Sequence, residues 1–351
     1  MKHTREEAYY TFNPYADHEW IDFEIEQIDY RVYKNINFSI FLTDYCNACC
    51  KFCVEQVKYQ DKSEMLLEKE KIENDDEYLS RLKYVLDKIQ PLNPSISITG
   101  GEPSMSQRFC SVLHLLATYN FRKITINTNG SGLRKIIYEK PLYEHIAECG
   151  ITHVNISRHH WIDERVNEVM RFEHDACSTE LLKEVIPILN SKGVRVRINC
   201  VVLDGYIDSI EKIVDFLEFY RSMGVDNVVF RQMMEFNLKN IRNDEITDFY
   251  ANHPIKIDDI MYSLDADKRF SKEKSITGRY YYVEIWRYKN IDIVVERASS
   301  VIKNQNIGFR EDDLIYELIF HPAGTVTKGW YYKKGIVMGY GKYTNNAVYA
   351  E

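Results

Sequence analysis

"SISITGGEP", Ser95 to Pro103, holds an alternating run and a glycine-rich turn within nine residues. A strand places successive side chains on opposite faces, so Ser95, Ser97 and Thr99 share one face and Ile96 and Ile98 the other. The same alternation recurs along the chain. Thr125 and Asn127 oppose Ile124 and Ile126. His153, Asn155 and Ser157 oppose Val154 and Ile156. Arg195, Arg197 and Asn199 oppose Val194, Val196 and Ile198. Between these strands lie helical patterns at 77–90, 107–120, near 133–149, 163–172, 178–192 and 207–223. Further strands read at 37–43 and 227–233. Six strands alternating with helices predict βαβ units and a parallel sheet. A parallel sheet covered on both faces reads as continuous apolar runs. Here one face of each strand is polar, so helices cover the apolar side and the polar side lines a shared interior. The interior of a closed (β/α)8 barrel is filled with Val, Ile and Leu. The prediction is therefore an α/β fold with a partial (β/α)6 barrel and an open, wet lumen.

After about residue 235 the rhythm changes. "RYYYVEIWRYKNIDIVVERAS" reads as a hairpin turning at Lys289-Asn290, and "IYELIFHPAGTVTKGWYY" as another turning at Pro322–Gly324. The expected division is an N-terminal extension over 1–36, a core over 37–235, and a C-terminal α+β subdomain over 236–351. That last part is rich in antiparallel strands and carries no cysteine. It and the N-terminal extension are the available covers for the lumen.

With 45% hydrophobic and 28% charged residues, the 351-residue chain has the makings of a sizeable core. A net charge of −8 argues against a general nucleic-acid binder. No apolar run approaches the roughly 18 residues that span a bilayer, and the N-terminus lacks a secretory signal, so neither membrane nor export is expected. In the cytoplasm thiols stay reduced, and clustered cysteines read as metal-binding or catalytic.

Four of the eight cysteines fall in "TDYCNACCKFC", Thr43 to Cys53, directly after the first core strand. Two triplets can be drawn, Cys46/Cys50/Cys53 and Cys46/Cys49/Cys53. A structural zinc site closes with four ligands, usually in two separated pairs. No second pair stands out, because Cys110, Cys149, Cys177 and Cys200 are scattered; they read as core or surface thiols. Three thiolates on one short loop suit an iron–sulfur cluster with one iron left open.

Here the chain resembles the radical S-adenosylmethionine (radical SAM) superfamily, whose loop after the first strand is C-x3-C-x2-C with an aromatic residue before the last cysteine. Cys46, Cys50 and Cys53 with Phe52 match it, which makes Cys49 a bystander. "GGEP", Gly100, Gly101, Glu102 and Pro103, falls where the family keeps its motif for the methionine amino group. Glycines there let backbone approach a ligand, and Glu102 is a candidate partner for the ammonium. "INTNG" (126–130), which contains Asn129, resembles the third-strand ending. Ser157 matches a serine after the fourth strand, although Arg158-His159-His160 departs from the usual sequence. Asn199 matches an asparagine in members related to the molybdopterin GTP cyclase, and Arg197 falls at a basic substrate-contacting position of that group.

The resemblance implies one [4Fe–4S] cluster held by Cys46, Cys50 and Cys53. It implies SAM bound near Phe52, Gly100–Pro103, Asn129, Ser157 and Asn199. A 5′-deoxyadenosyl radical would then abstract hydrogen from a substrate in the lumen. Arg197, Asn155 and His153 are the candidate substrate contacts, which favours an anionic metabolite or nucleotide. An external donor such as flavodoxin or ferredoxin would supply the electron. A peptide-modifying enzyme is the alternative within the family, and a non-catalytic iron–sulfur or zinc sensor the alternative outside it. His159-His160 reads as loop surface more often than as a contact to SAM or substrate. His321-Pro322 reads as structural, and Trp330, Tyr331 and Tyr332 as sheet packing.

Overall fold

The computed structural model describes residues 18–55, 71–235, 238–241, 243–278, 281–298, 314–330 and 335–342. Its strands are β1 (Trp20–Ile25), β2 (Ile28–Phe41), β3 (Ser95–Thr99), β4 (Lys123–Thr128), β5 (Ile136–Ile137), β6 (Lys140–Pro141), β7 (His153–Ser157), β8 (Arg195–Val201), β9 (Asn227–Arg231), β10 (Phe270–Thr277), β11 (Tyr281–Tyr288), β12 (Ile291–Ala298), β13 (Leu314–Phe320), β14 (Val326–Thr327) and β15 (Ile336–Met338). Its helices are α1 (Asp75–Ile89), α2 (Phe109–Leu116), α3 (Leu142–Glu148), α4 (Asp163–Met170), α5 (Thr179–Ser191), α6 (Ile210–Arg221), α7 (Asp244–Asn252) and α8 (Ile257–Ala266).

Six parallel strands stand side by side in chain order, β2-β3-β4-β7-β8-β9. Strand order never reverses among them, so there is no switch point and right-handed crossovers bring every helix to the same face. A twisted sheet covered on one side only curls around the other, which is the partial barrel expected from the alternation. The apolar sets are sealed beneath the helices: Ile96, Ile98, Ile126, Val154, Ile156 and Ile198 are fully buried with Leu82, Val85, Leu86 and Leu113. The polar sets are only partly covered, as the alternating burial along β3 and β8 records. Local signals fix the helix starts. Asn74, Ser178 and Ser209 accept N-cap hydrogen bonds from Glu77, Leu181 and Lys212.

Two expectations change. The helix placed near 133–149 is shorter, because β5 and β6 form a small ribbon first. Tyr138 and Glu139 make its turn with positive φ, and Pro141 then caps α3. The strands after residue 235 flank the core sheet on both edges. β12 pairs parallel with β9 and continues to β11 and β10, while β13 pairs parallel with β2 and continues to β14 and β15. The hairpin turning at Lys289-Asn290 is present as β11–β12, and the one at Pro322–Gly324 as β13–β14.

Candidate functional site

The loop after β2 lies at the carboxyl rim of the sheet and is tied down through its backbone. Cys49 N–H donates to the carbonyls of Met170 and Arg171, Glu173 N–H donates to Asn47 O, and Ala48 bridges Phe172. The loop therefore docks on the end of α4. Its other side docks on the turn after β3, where Gly101 N–H donates to Thr43 O at 2.6 Å and Glu102 N–H to Tyr45 O at 2.8 Å. The need for glycine is steric. A Cβ on Gly101 would lie 2.2 Å from Tyr45 O, and one on Gly100 would lie 2.5 Å from Thr43 O. The close approach expected toward a ligand is, in this structure, an approach to the cysteine loop itself.

Glu102 corrects a second expectation. It is 1% exposed. Its Oε1 accepts from Ser104 N, Ser104 Oγ and Thr128 Oγ1 at 3.0, 2.6 and 2.7 Å, and its Oε2 accepts from Asn129 N at 2.6 Å. With four donors already engaged and no solvent face, the carboxylate is not placed to meet an ammonium. It joins the β3 and β4 turns into one rim. Burial raises its pKa, although the four donors oppose the shift. Pro103 and Ser104 are buried beside it.

The same rim reaches the sulfurs. Asn129 Nδ2 donates to Asn47 Oδ1 at 2.9 Å and lies 3.8 Å from Cys46 Sγ. Ala48 N–H lies 3.4 Å from the same sulfur. Cys46, Cys50 and Cys53 are partly covered, and Cys49 is exposed. Burial raises the Cys46 thiol to about 11, with Glu102 and Cys53 adding to the shift, and raises Cys50 well above its ordinary value. Without metal, the Cys46 and Cys50 thiols are neutral at pH 7. A metal would have to displace their protons. Three soft donors beside a side-chain amide and a backbone N–H fit a thiolate-held iron–sulfur cluster, whose sulfurs take hydrogen bonds.

Phe52 lies between the loop and the next rim segment. Its ring meets His159 edge-on at 4.8 Å and Phe249 of α7 at 6.3 Å. Helix α7 covers the loop, with Lys51 paired to Glu245 at 2.5 Å and Tyr250 Oη donating to Phe52 O at 3.5 Å. His159 is buried. Its Nδ1 accepts from Val201 N–H at 2.9 Å, which makes Nε2 the protonated nitrogen, and that Nε2 is buried without a partner among the described residues. Burial holds its pKa near 3, so the ring is neutral. His160 Nδ1 accepts from Ile162 N–H. Arg158 is structural: fully buried, it donates to Tyr220 Oη, Cys177 O and Asp163 Oδ1 and so pins the loop after β7 to α4, α5 and α6. This pinning accounts for the departure at Arg158.

Below the rim the polar faces line up in register. Ser157 lies beside Asn199; one step deeper Asn127, Asn155, Arg197 and Asn227 form a row; deeper still are Thr125, His153 and Arg195. Asn155 donates to Asn127 Oδ1 and Asn127 to Ser97 Oγ, both at 2.8 Å. The row still leaves groups unmatched. Asn155 Oδ1, Asn199 Oδ1 and His153 Nδ1 are buried without partners among the described residues. Orphaned buried polar atoms cost roughly 1–3 kcal/mol each, and their clustering on β7 and β8 marks where a ligand would repay that cost.

The two arginines of β8 differ. Arg195 is paired with Asp226 at 2.7 Å and Asp292 at 2.6 Å, so the anionic partners left unplaced by sequence come from the start of β9 and from β12. Arg197 donates Nε to the neutral Asn227 Oδ1, and among the described residues no carboxylate lies within ion-pair distance of it. Burial, then the charges of Arg231 and Arg195, lower its pKa to about 10, so it stays charged at pH 7. Lys123, at the start of β4, is lowered by burial and by Arg197, Arg195 and Arg122. Burial and the neighbouring cations hold His153 near 4, hence neutral. Sequence reading missed Lys123, Asn227 and Asn47. The period-two pattern of Thr125 and Asn127 extends back to Lys123 and could have found it.

His321 and Trp330 behave as expected. His321 is buried with Nε2 2.7 Å from Thr327 Oγ1, and Trp330 packs edge-on to Phe41. Tyr331 and Tyr332 lie outside the described residues. Among the described residues no helix is long and apolar enough to cross a membrane.

Residues 40–217 match the family model described as the radical SAM superfamily. The GTP 3′,8-cyclase of Rhizobium etli (strain CIAT 652) is 24% identical over 255 residues, 70% of this chain and 66% of that protein. The GTP 3′,8-cyclase of Aquifex aeolicus (strain VF5) is 25% identical over 190 residues, 53% of each. The chain thus spans between about half and two thirds of the length of these curated relatives. Among solved structures, Streptococcus suis SuiB bound to S-adenosylmethionine superposes with a TM-score of 0.48 at 17% identity, covering 67% of this chain and 47% of that one.

Proposed function

Since the chain belongs to the radical SAM superfamily, we propose that it is an enzyme using one [4Fe–4S] cluster on Cys46, Cys50 and Cys53 with SAM at the rim of the lumen. The cofactor pair, when bound, supplies one-electron chemistry: reductive cleavage of SAM to a carbon radical able to remove hydrogen from a substrate. The chain's own residues hold and orient. The three thiolates would carry the metal, Asn129 and Ala48 N–H would donate to sulfur, and Glu102 would keep the two rim turns in register. Phe52, Ser157, Asn199 and the backbone of Gly100–Pro103 are the proposed SAM surroundings. Residues 37–235 are the proposed core and 236–351 the substrate-covering part, a division that α7 over the cysteine loop supports. An external donor such as flavodoxin or ferredoxin would approach the solvent side, where Cys49 and Tyr45 are exposed.

The proposed substrate is an anionic metabolite, with a nucleotide first among candidates. Arg197 carries this reading: a half-buried charge whose only side-chain hydrogen-bond partner among the described residues is neutral. Lys123 and neutral His153 lie within its field, and Asn155 beside it in register. A guanidinium fork suits phosphate or carboxylate. The names of the curated relatives point to GTP as the first compound to try. The test is calorimetric titration of the reconstituted, SAM-loaded protein with GTP, other nucleotides and neutral nucleosides. Binding of at least one anionic compound, weakened in Arg197→Ala, supports the reading. Equal affinity for the matched neutral nucleoside would sink it.

A further inference from the structure

We propose a second metal site, for Zn2+, on the helical side of the sheet, formed by Cys110 and His114 of α2 with His145 of α3 and Cys149 at its end. Cys110 and His114 are four residues apart, as are His145 and Cys149. That spacing stacks each pair on one helix face. Cys149 keeps the helical register, since its N–H donates to His145 O at 3.0 Å. The two helices pack together and bring His145 up to Cys110 and His114. A donor atom of each of Cys110, His114 and His145 lies within 4.8 Å of the other two. Cys110 Sγ is 4.0 Å from His114 Nε2, and the two imidazoles meet edge-on at 5.5 Å.

Zinc bonds of about 2.3 Å to sulfur and about 2.0 Å to nitrogen set tetrahedral donors about 3.3–3.8 Å apart. Drawing Cys110, His114 and His145 onto one ion therefore needs movements of about 1 Å per side chain. A backbone carbonyl already orients one ligand. His145 Nε2 lies 2.8 Å from Ile137 O, an acceptor only, so Nε2 carries the proton and Nδ1 keeps its lone pair. That is the outer-shell arrangement of a metal-bound histidine. Cys149, one helical turn after His145, is the proposed fourth donor; it stands outside the 4.8 Å trio and has to swing in to close a two-cysteine, two-histidine set. It is buried, and the neighbouring Cys110 thiol helps raise its pKa. Cys110 and His145 are also buried, while His114 is exposed and gives the ion an entry. Two histidines and two cysteines in a closed set are the donor chemistry of structural zinc. The ion would brace α2, which follows the Gly100–Pro103 turn, against α3, which leads into β7. It is separate from the cysteine loop, which lies at the carboxyl rim of the sheet and docks on α4 and the turn after β3.

The experiment is metal analysis of the full-length, iron-reconstituted protein after zinc loading and removal of free zinc, with X-ray absorption at the zinc edge. The expected result is about one zinc beside about four irons per chain. The zinc shell should hold two sulfurs at about 2.3 Å and two nitrogens at about 2.0 Å. Cys110→Ser and His145→Ala should each lower zinc affinity at least about tenfold with iron unchanged. His114→Ala, at an exposed position that does not disturb the core, should do the same. The proposal is overturned by zinc below about a tenth of an equivalent in the wild type. It is equally overturned by zinc retained unchanged in His114→Ala and Cys110→Ser, or by an all-sulfur shell, which places the ion in the cysteine loop.

Discussion

At the rim of the lumen the Glu102 carboxylate accepts four hydrogen bonds, and two glycines lie against the backbone of the cysteine loop. Deeper in the lumen, among the described residues, Arg197 has one neutral hydrogen-bond partner, and three polar atoms of β7 and β8 have none. These two rim turns are complete without a ligand, whereas His159 Nε2, farther along the rim, has no partner among the described residues. The interior below the rim carries, among the described residues, a guanidinium with no carboxylate in ion-pair reach and several unmade hydrogen bonds. A preorganised frame suits a cofactor that must always sit the same way. Unmatched buried groups suit a substrate that supplies the missing partners and then leaves. Damage to the rim should therefore remove all chemistry, and damage below it should remove only the response to substrate.

The largest effects fall on the sulfurs. Cys46→Ala, Cys50→Ala or Cys53→Ala should abolish iron binding and SAM cleavage, measured as 5′-deoxyadenosine release under reducing, anaerobic conditions. Cys49→Ala, at an exposed thiol, should stay within about twofold of wild type, as surface substitutions usually do. Loss of the cluster in Cys49→Ala alone would mean that the other triplet is the ligand set. Gly101→Ala comes next. Its methyl would meet Tyr45 O at 2.2 Å, so loop and turn must part. Overpacking of this kind costs about 1–3 kcal/mol or more. Chemical denaturation should show that loss together with reduced iron occupancy. A variant with wild-type stability and full iron would mean that the loop and turn are not held as tightly as drawn.

Below the rim the two arginines make the sharper contrast. Arg197→Ala should weaken substrate binding by about 1.5–3 kcal/mol, the worth of a charged hydrogen bond, while sparing slow uncoupled SAM cleavage. Arg195→Ala should act on the fold instead, because it takes the paired cation from Asp226 and leaves Asp292 with Arg287 alone. A stability loss of about 1–3 kcal/mol with a smaller change in substrate affinity is the expected result. If Arg197→Ala instead stops uncoupled cleavage with the cluster intact, that residue belongs to the rim's function and the contrast fails.

Much of this was legible in residues 95–103 and their echoes. Period-two alternation is a local property, so it placed Thr125, Asn127, Asn155, Arg195, Arg197 and Asn199 on one face before any strand was paired. What was not legible depended on contacts distant in sequence. Nothing near Glu102 announces that Thr128 and Asn129 reach its carboxylate, and nothing near Arg195 points 97 residues on to Asp292. The edge strands are a similar case. β12 and β13 show hairpin signals, but their parallel pairing with β9 and β2 comes from sheet closure and not from their own sequence. Helix α7, the cover of the cysteine loop, carries ordinary helix signals with no mark of what it covers.

The smallest expected effect is on pH dependence, through His153. Burial and then the charges of Lys123, Arg197 and Arg195 hold its folded pKa at about 4. In the unfolded chain an imidazole titrates near 6.5. The unfolded state therefore binds the extra proton first as pH falls, and stability drops through the window from about 6.5 to 4. Above pH 6.5 both states are neutral there and the contribution is flat. His153→Gln removes the titration but keeps a polar side chain. The variant should lose less stability than wild type between pH 7.5 and 5, by on the order of 1–2 kcal/mol. The comparison is a difference between two chains, so the buried His159, which has the same sign, cancels. Adding Lys123→Gln to the wild type should shrink the effect, since one of the cations depressing the imidazole is gone. Denaturant unfolding at the two pH values checks both statements. Parallel losses in wild type and His153→Gln would mean that the interior does not impose a positive field on His153. The same field is what Arg197 is proposed to offer an anion, so that result would weaken the division between rim and interior at its base.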